Sequence, residues 1–503
     1  MTELADVATG TQSPTGEGDS LRRGALAMPE VLAQSVAGMA PTAAMSVNAL
    51  LAYLAGAGNG TWLSTLLALA LMSLVGYAIV QFGRRTTSAG SFYVWVRQGL
   101  GPGAGHTAGW ALVLGYLATG IATVIGFTLY GSSLLSYFGG PGSSTAVEAG
   151  LVLLCTLVAV TVTVSDIRLS ARTSLVLEGV SVSIVLLLCV GAAVHHRSVV
   201  DAAQLNLVGV KSGGVLSGAV LAIFSFVGFE SAASLGMEAR NPFRSVRRAV
   251  TWSLGGVGLF YVVASYAQVL GFEGSKPGFA HTSAPLPGLA HIEGLSFLVP
   301  VIDAGVAVSM FACAMACINA GARILYSMAA DGMGHQAVGK SHARHQTPHV
   351  AIVISAVPML LVPLAFTVAG FNLVNVDGWV GTLATFGFML AYALVSLAAP
   401  VFLGRRNEPN GLAWVLGATA TVAMAIVFYA NWLPKLIPNS IFSALAYPYD
   451  ILPYVFMAWL LVGFGWFAVA KRRKPDLLVR IGTSHMETAT STRPSLVAAA
   501  SEA

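Results

Sequence analysis

Phe224-Ser225-Phe226-Val227-Gly228-Phe229-Glu230 sets a glycine and a carboxylate inside a stretch with no other charge between Lys211 and Glu238. Glycine loosens helical backbone, and a carboxylate at the centre of a membrane helix costs about 2.5–3.5 kcal/mol on insertion scales. In lipid, interrupted backbone is tolerated only where it lines a cavity or is buried in protein. The stretch therefore reads as a helix broken at membrane depth, on the inside of a helical bundle.

The rest of the chain supports a membrane setting. Of its 503 residues 56% are hydrophobic and only 9% charged, and the mean hydropathy is +0.76. A soluble domain is normally about one quarter charged, so a chain this apolar needs lipid as its solvent. No charge occurs between Glu30 and Arg84, which is room for two spans with a turn near 55–60. None occurs between Arg97 and Glu148 either, which predicts a long helix over about 103–137. Further spans are expected near 148–165, 173–194, 213–237, 249–271, 298–329, 350–369, 378–403, 411–433 and 451–470, twelve in all. The fold class expected is an all-α membrane protein.

Charge sets the expected topology. With both termini cytoplasmic, twenty-two of the 26 Lys and Arg residues fall on the inner side; Arg197, Lys211, Lys276 and Lys435 remain outside. This is the asymmetry that the positive-inside rule predicts, so the pI near 9 reports orientation in the cell membrane and not nucleic-acid binding. Residues 1–29 read as a polar, disordered cytoplasmic tail, 30–470 as the transmembrane domain and 471–503 as a basic, then low-complexity, cytoplasmic tail. Cys155, Cys189, Cys313 and Cys317 all lie in apolar stretches and read as small packing residues.

The first span carries a second weak point, Ala37-Gly38-Met39-Ala40-Pro41-Thr42, where Pro41 removes a helical hydrogen bond. It precedes Ser225 by 187 residues, counted from Gly38, and the long third and eighth spans start about 195 apart. Paired interruptions in two corresponding halves point to an inverted-repeat transporter, although Gly and Pro are also common in ordinary membrane helices. A broken helix leaves free N–H groups on one half and free C=O groups on the other. The first kind of end attracts a carboxylate and the second an ammonium, which together suit a zwitterion.

Several motifs resemble the amino acid–polyamine–organocation (APC) permease superfamily over roughly residues 30–470. They are Gly38-Met39-Ala40-Pro41; Thr87-Ser88-Ala89-Gly90-Ser91-Phe92-Tyr93 with Gly99-Leu100-Gly101; Phe224–Glu230 followed by Glu238-Ala239-Arg240-Asn241-Pro242; and Arg323-Ile324-Leu325-Tyr326-Ser327 through Asp331-Gly332. The resemblance implies a LeuT-type five-plus-five inverted repeat with two added helices, working as a secondary carrier of amino acids with protons as possible co-substrate. Exchange, or transport of polyamines, ethanolamine or other small amines, is the alternative; extra acidic residues in the pocket would favour amines. It also implies that substrate sits on Gly38, Met39, Ala40 and Pro41 and on Ser225, Phe226, Val227, Gly228 and Phe229, with Phe226 or Phe229 closing over it. Relatives that use a lysine in the fifth span as a stand-in for sodium differ from this chain, which has Ser181 and Glu178 there.

Glu178 and Glu230 are the coupling candidates, because carboxyl groups inside membrane bundles commonly mark ion or proton paths. The plainer roles are pairing of Glu178 with Arg168 or Arg172, and bracing of the broken backbone by Glu230. Asp303 reads as a solvated or capping group at the outer end of the eighth span. Gly334–Ser341 spells a P-loop, but a P-loop needs a preceding strand and a following helix in a soluble αβ unit. His335, His342, His345 and His349 read as a polar loop; no metal or other cofactor is expected. No HExxH or G-x-S-x-G pattern suggests an enzyme. A transporter-derived sensor remains an alternative of a different class.

Overall fold

The computed structural model describes residues 21–474, 477–482 and 486–488, apart from 143, 277, 283 and 433–446. Helices α1 (Met28–Met39) and α2 (Pro41–Ala52) form the first span and α3 (Thr61–Gly83) the second. Strand β1 (Thr86–Ser88) and α4 (Phe92–Leu100) lead into the long third span, α5 (Pro102–Tyr137), followed by α6 (Thr145–Ser165) and α7 (Ile167–His195). After the short α8 (Ala202–Leu205), the sixth span is α9 (Ser212–Phe224) continued by the 3-10 segment Phe229–Glu238. The seventh is α10 (Pro242–Gly271); α11 (Pro285–Ile292) precedes the eighth, α12 (Val299–Ala330). The last four are α13 (His349–Val368), α14 (Leu373–Arg405), α15 (Gly411–Trp432) and α16 (Leu452–Arg473), with α17 (Leu477–Arg480) and β2 (Met486–Thr488) beyond them.

Eleven of the described helical runs are long and apolar enough to cross a membrane. The first, Met28–Gly83, has 56 residues; as one helix it would be about 84 Å long, against about 30 Å of hydrocarbon. Gly56 (φ 102) and Gly58 (φ 51) turn it back on itself, so it supplies two crossings and the described residues make twelve. Most of the expected span limits hold to within about three residues; the fifth, seventh and tenth spans begin six, seven and five residues earlier than expected.

Spans three, eight and ten (α5, α12 and α14) are the most enclosed, and α12 and α14 both pack on α5. Towards the outside the helices present large apolar side chains, among them Leu154, Leu157, Val176, Val180, Leu461 and Val462. On a water-soluble molecule such a belt would drive aggregation; here it is the lipid-facing surface. The twelfth span is clasped to the third by two stacked indoles, Trp110 and Trp459, with ring centroids 4.3 Å apart. Each N–H donates to the other residue's carbonyl, at 2.8 and 3.1 Å, so neither donor is left unsatisfied in the membrane.

The packed structure extends past both ends of the segment 30–470. Leu21, Ala25 and Leu26 are buried; Leu26 N donates to Glu238 O and Leu26 O accepts from Arg240 N. At the other end α16 runs on through Arg473, Leu477 and Ile481 are buried, and β2 pairs antiparallel with β1. Tails of polar composition are thus ordered in part, because each offers a few apolar residues and a strand edge to an otherwise unpaired partner. The remainder of the two predicted tails lies outside the described residues. The P-loop lookalike is a 3-10 turn, Gln336–Gly339, between α12 and α13, with no strand before it.

Candidate functional site

The two predicted weak points are real interruptions and they touch. In the first span Ala40 is left-handed (φ 43, ψ 65) and Pro41 opens α2. In the sixth, α9 stops at Phe224 and Gly228 turns the chain at φ 97, ψ −11. A Cβ at Gly38 would lie 2.7 Å from Gly228 O and 2.9 Å from Ser231 Oγ; one at Gly228 would run into the Gly38 backbone. Both glycines are needed for this backbone-to-backbone approach, and Gly228 also for its φ.

Hydroxyl bridges lock the halves on one side of the break. Ser35 Oγ donates to Phe229 O at 2.5 Å, and Ser231 Oγ to Gln34 O at 2.9 Å. Glu230 is fully buried and accepts from Tyr116 Oη (2.7 Å), Tyr392 Oη (2.6 Å) and Gly228 N (3.2 Å). It thereby ties the sixth-span interruption to spans three and ten, the bracing role weighed from sequence.

On the other side of the break lies a cavity of about 200 Å³. Its floor is Gly38, Met39, Ala40, Ser225 and Val227. Thr119 and Thr123 of α5 and Cys313 of α12 form walls; Asn48 of α2 and Asp377, Thr382 and Thr385 of α14 line it towards its open end. Pro41, Phe226, Gly228 and Phe229 do not line it. Phe226 packs edge-on against Tyr261 (5.3 Å) and Phe229 lies tilted against Tyr392 (5.8 Å), and both are fully buried behind the break. The sixth-span aromatic facing the cavity is Phe224. Near the floor, Pro41 has no N–H and Ala44 N bonds back to Ala40 O, which leaves the amides of Thr42 and Ala43 without an intrahelical partner; Ala43 lines the cavity and Thr42 does not. Thr42 Oγ1 is buried beside them with no hydrogen-bond partner among the described residues.

Glu178 sits elsewhere, between the fifth and eighth spans. It is buried, and Ser309 Oγ lies 3.0 Å from each of its oxygens. Ser181 Oγ is 3.4 Å from Oε2. Arg168 and Arg172 are engaged elsewhere, with Ala25 O and with Glu30, so the ion pair weighed from sequence does not form. One helical turn from Ser309, Cys313 Sγ contacts Gly38 O at 3.4 Å, linking this carboxyl group to the first-span break. Asp303 is not solvated and caps nothing: it is buried and accepts from Ser133 Oγ at 2.7 Å. Its place in the second turn of α12, facing α5, puts it out of water's reach.

The end of the bundle opposite the cavity mouth is shut. Arg323 and Glu238, both wholly buried, make a two-pronged ion pair at 2.7 and 2.8 Å. Arg323 also donates to Asn319 O and Oδ1, and Asn319 Nδ2 to Ser170 Oγ. Tyr93 Oη and Gly482 N converge on Asp331 Oδ2, bringing the C-terminal segment to the same end. Sequence reasoning missed Asn48, Asp377 and Phe224. Gly381 and Thr385 fall at helical spacing from Asp377, the one signal that could have marked that face.

A family model described as amino acid permease matches residues 30–479. An uncharacterised transporter of Mycobacterium tuberculosis is 28% identical over 382 residues, which cover 74% of this chain and 79% of that protein. The branched-chain amino acid permease BcaP of Lactococcus lactis is 28% identical over 448 residues, covering 83% and 88%. Among solved structures, a mutant of the Eremococcus coleocola manganese transporter superposes with a TM-score of 0.53 at 13% identity, covering 88% of this chain and 95% of that one. That likeness is one of fold.

Proposed function

Because the chain belongs to the amino acid permease family, transporters and not enzymes, we propose that it carries amino acids across the cell membrane by alternating access, driven by protons, with both termini in the cytoplasm. The observation that carries this reading is the pair of touching helix breaks at the floor of a cavity open at one end and sealed at the other. The family assignment supports amino acid substrates, and the name of the Lactococcus relative points the same way.

In this reading the substrate carboxylate is held by the Thr42 and Ala43 amides at the positive end of α2. The ammonium meets carbonyl groups where α9 ends, near Ser225 and Val227. The excess of arginine at the sealed end supports an inner position for that end, and in this reading the cavity faces outward. Opening inward requires parting Arg323 from Glu238 and sliding β2 and the N-terminal segment with the helices they bind. Glu178 is the proton carrier. It has hydroxyl neighbours and no cation among the described residues, so its charged form is not balanced where it sits. Cys313 connects it to the break that the substrate occupies. Glu230, with three donors engaged, acts as a brace.

The test is uptake of labelled amino acids into proteoliposomes with and without an inward proton gradient. Saturable uptake accelerated by the gradient in the wild type, and indifferent to it in Glu178→Gln, is the expected result. Gradient-driven uptake that survives Glu178→Gln would overturn the role of Glu178. Counterflow without gradient dependence would replace proton symport by exchange.

A further inference from the structure

Of the described residues that line the cavity, one is charged. Asp377 lies in the second turn of α14 and shares a helix face with Gly381 and Thr385; these and Thr382 line the same space. It is half-buried, and among the described residues it has no hydrogen-bond or ion-pair partner. The other polar liners, Asn48, Thr119, Thr123, Ser225, Thr382 and Thr385, are neutral. The commonest structural reason for an aspartate near a helix start is capping, and that place is taken: Asn372 Oδ1 accepts from Val374 N at 2.9 Å. Asp377 lies beyond the first turn, where the helix dipole has faded, and among the described residues accepts from no backbone amide.

A zwitterionic substrate with a neutral side chain is already balanced by the two half-helix ends. It would leave Asp377 facing a largely apolar cavity with its charge uncompensated, which is costly once water is displaced. A substrate with one further positive charge removes that cost.

Resting on the reading of the cavity as a substrate site, we propose that Asp377 is the counter-ion that selects substrates of net positive charge: amino acids with a second ammonium group, or small diamines. The floor of the cavity holds the α-amino and carboxylate groups, and the side chain points up the cavity towards α14. Asn48, held by Ser225 Oγ at 2.8 Å, and Thr382 and Thr385 supply uncharged polar contacts along the way. The acidic pocket residue that would favour amine substrates is thus present, on the tenth span and not on the sixth.

The test compares L-lysine with L-norleucine, which keeps the carbon chain and lacks the terminal ammonium, in proteoliposomes containing the full-length protein. The wild type is expected to prefer lysine by about tenfold or more in kcat/KM, the range between an exposed and a buried charge pair. Asp377→Asn should raise KM for lysine about tenfold and erase the preference, with a monodisperse elution profile as the check that the variant is folded. Asp377→Glu should restore the preference. Equal or better use of norleucine by the wild type, or a lysine preference that survives Asp377→Asn, overturns this inference and leaves the permease reading standing. No uptake of either, nor of any other amino acid, overturns both.

Discussion

Replacing Gly228 by alanine adds one methyl group at the point where the two broken helices meet. At φ 97 an L-residue is strained, by roughly 1–2 kcal/mol. The new Cβ would fall among the oxygen, carbonyl carbon and Cα of Gly38, rigid backbone that has no rotamer to change. Overpacking of this kind costs about 1–3 kcal/mol. The turn has little freedom to move aside, because Glu230, hydrogen-bonded to Gly228 N, is pinned by Tyr116 and Tyr392. The terms sum to roughly 2–5 kcal/mol, and at 1.4 kcal/mol per decade they correspond to about a 30-fold to few-thousand-fold loss. The measurement is the initial rate of amino acid uptake into proteoliposomes, with a monodisperse elution profile as the check on insertion. Gly228→Leu should abolish uptake. Gly150→Ala, where an added Cβ meets open space, should keep the wild-type rate. Wild-type uptake by Gly228→Ala would refute the close contact of the two breaks.

Three further outcomes follow from the geometry. Arg323→Met leaves Glu238 charged and unpaired in the core, a loss of about 3–5 kcal/mol; the thermal unfolding midpoint in detergent should drop sharply, and pairing it with Glu238→Met should recover much of the drop. Recovery absent in the double variant would contradict the coupling. Glu293, in the loop before α12, is half-buried without a hydrogen-bond partner among the described residues, and burial pushes its carboxyl up to about 7 from 4.5. The folded protein then holds that proton more tightly than the unfolded chain, so the contribution to stability is present below pH about 4.5 and lost as pH rises through about 7. Glu293→Gln should flatten the dependence of the midpoint across that window, and an unchanged slope would count against the burial. Ending the chain after Gly482 deletes β2 and bares the edge of β1; trypsin should then cut at Arg84 and Arg85 faster than in the full-length protein, and equal rates would mean that the pairing protects nothing.

The positions of the two breaks were legible because glycine, proline and carboxylate are conspicuous against uncharged membrane sequence. What the neighbouring residues do was not. Successive helical residues point about 100° apart, and the interruption at Gly228 resets the phase. Nothing linear distinguishes Phe224, which faces the cavity, from Phe226 and Phe229, which pack behind it. Glu178 and Glu230 look alike in sequence, a lone carboxyl in an apolar run; one meets serines across a helix pair, the other two tyrosines from distant spans. Asp377 attracted no notice because an aspartate near the start of a helix is ordinary.

By itself the sequence determined the solvent, the span count, the expected orientation and the two weak points. These depend on local composition, and lipid punishes a misplaced charge or an unpaired peptide group within a single helix. The tertiary structure alone decided which side of each helix faces the cavity, that Gly38 and Gly228 touch, that Arg323 pairs with Glu238, and that both tails dock. Those outcomes depend on how helices far apart in the chain rotate and pack, and a contact across 190 residues of chain leaves no local mark.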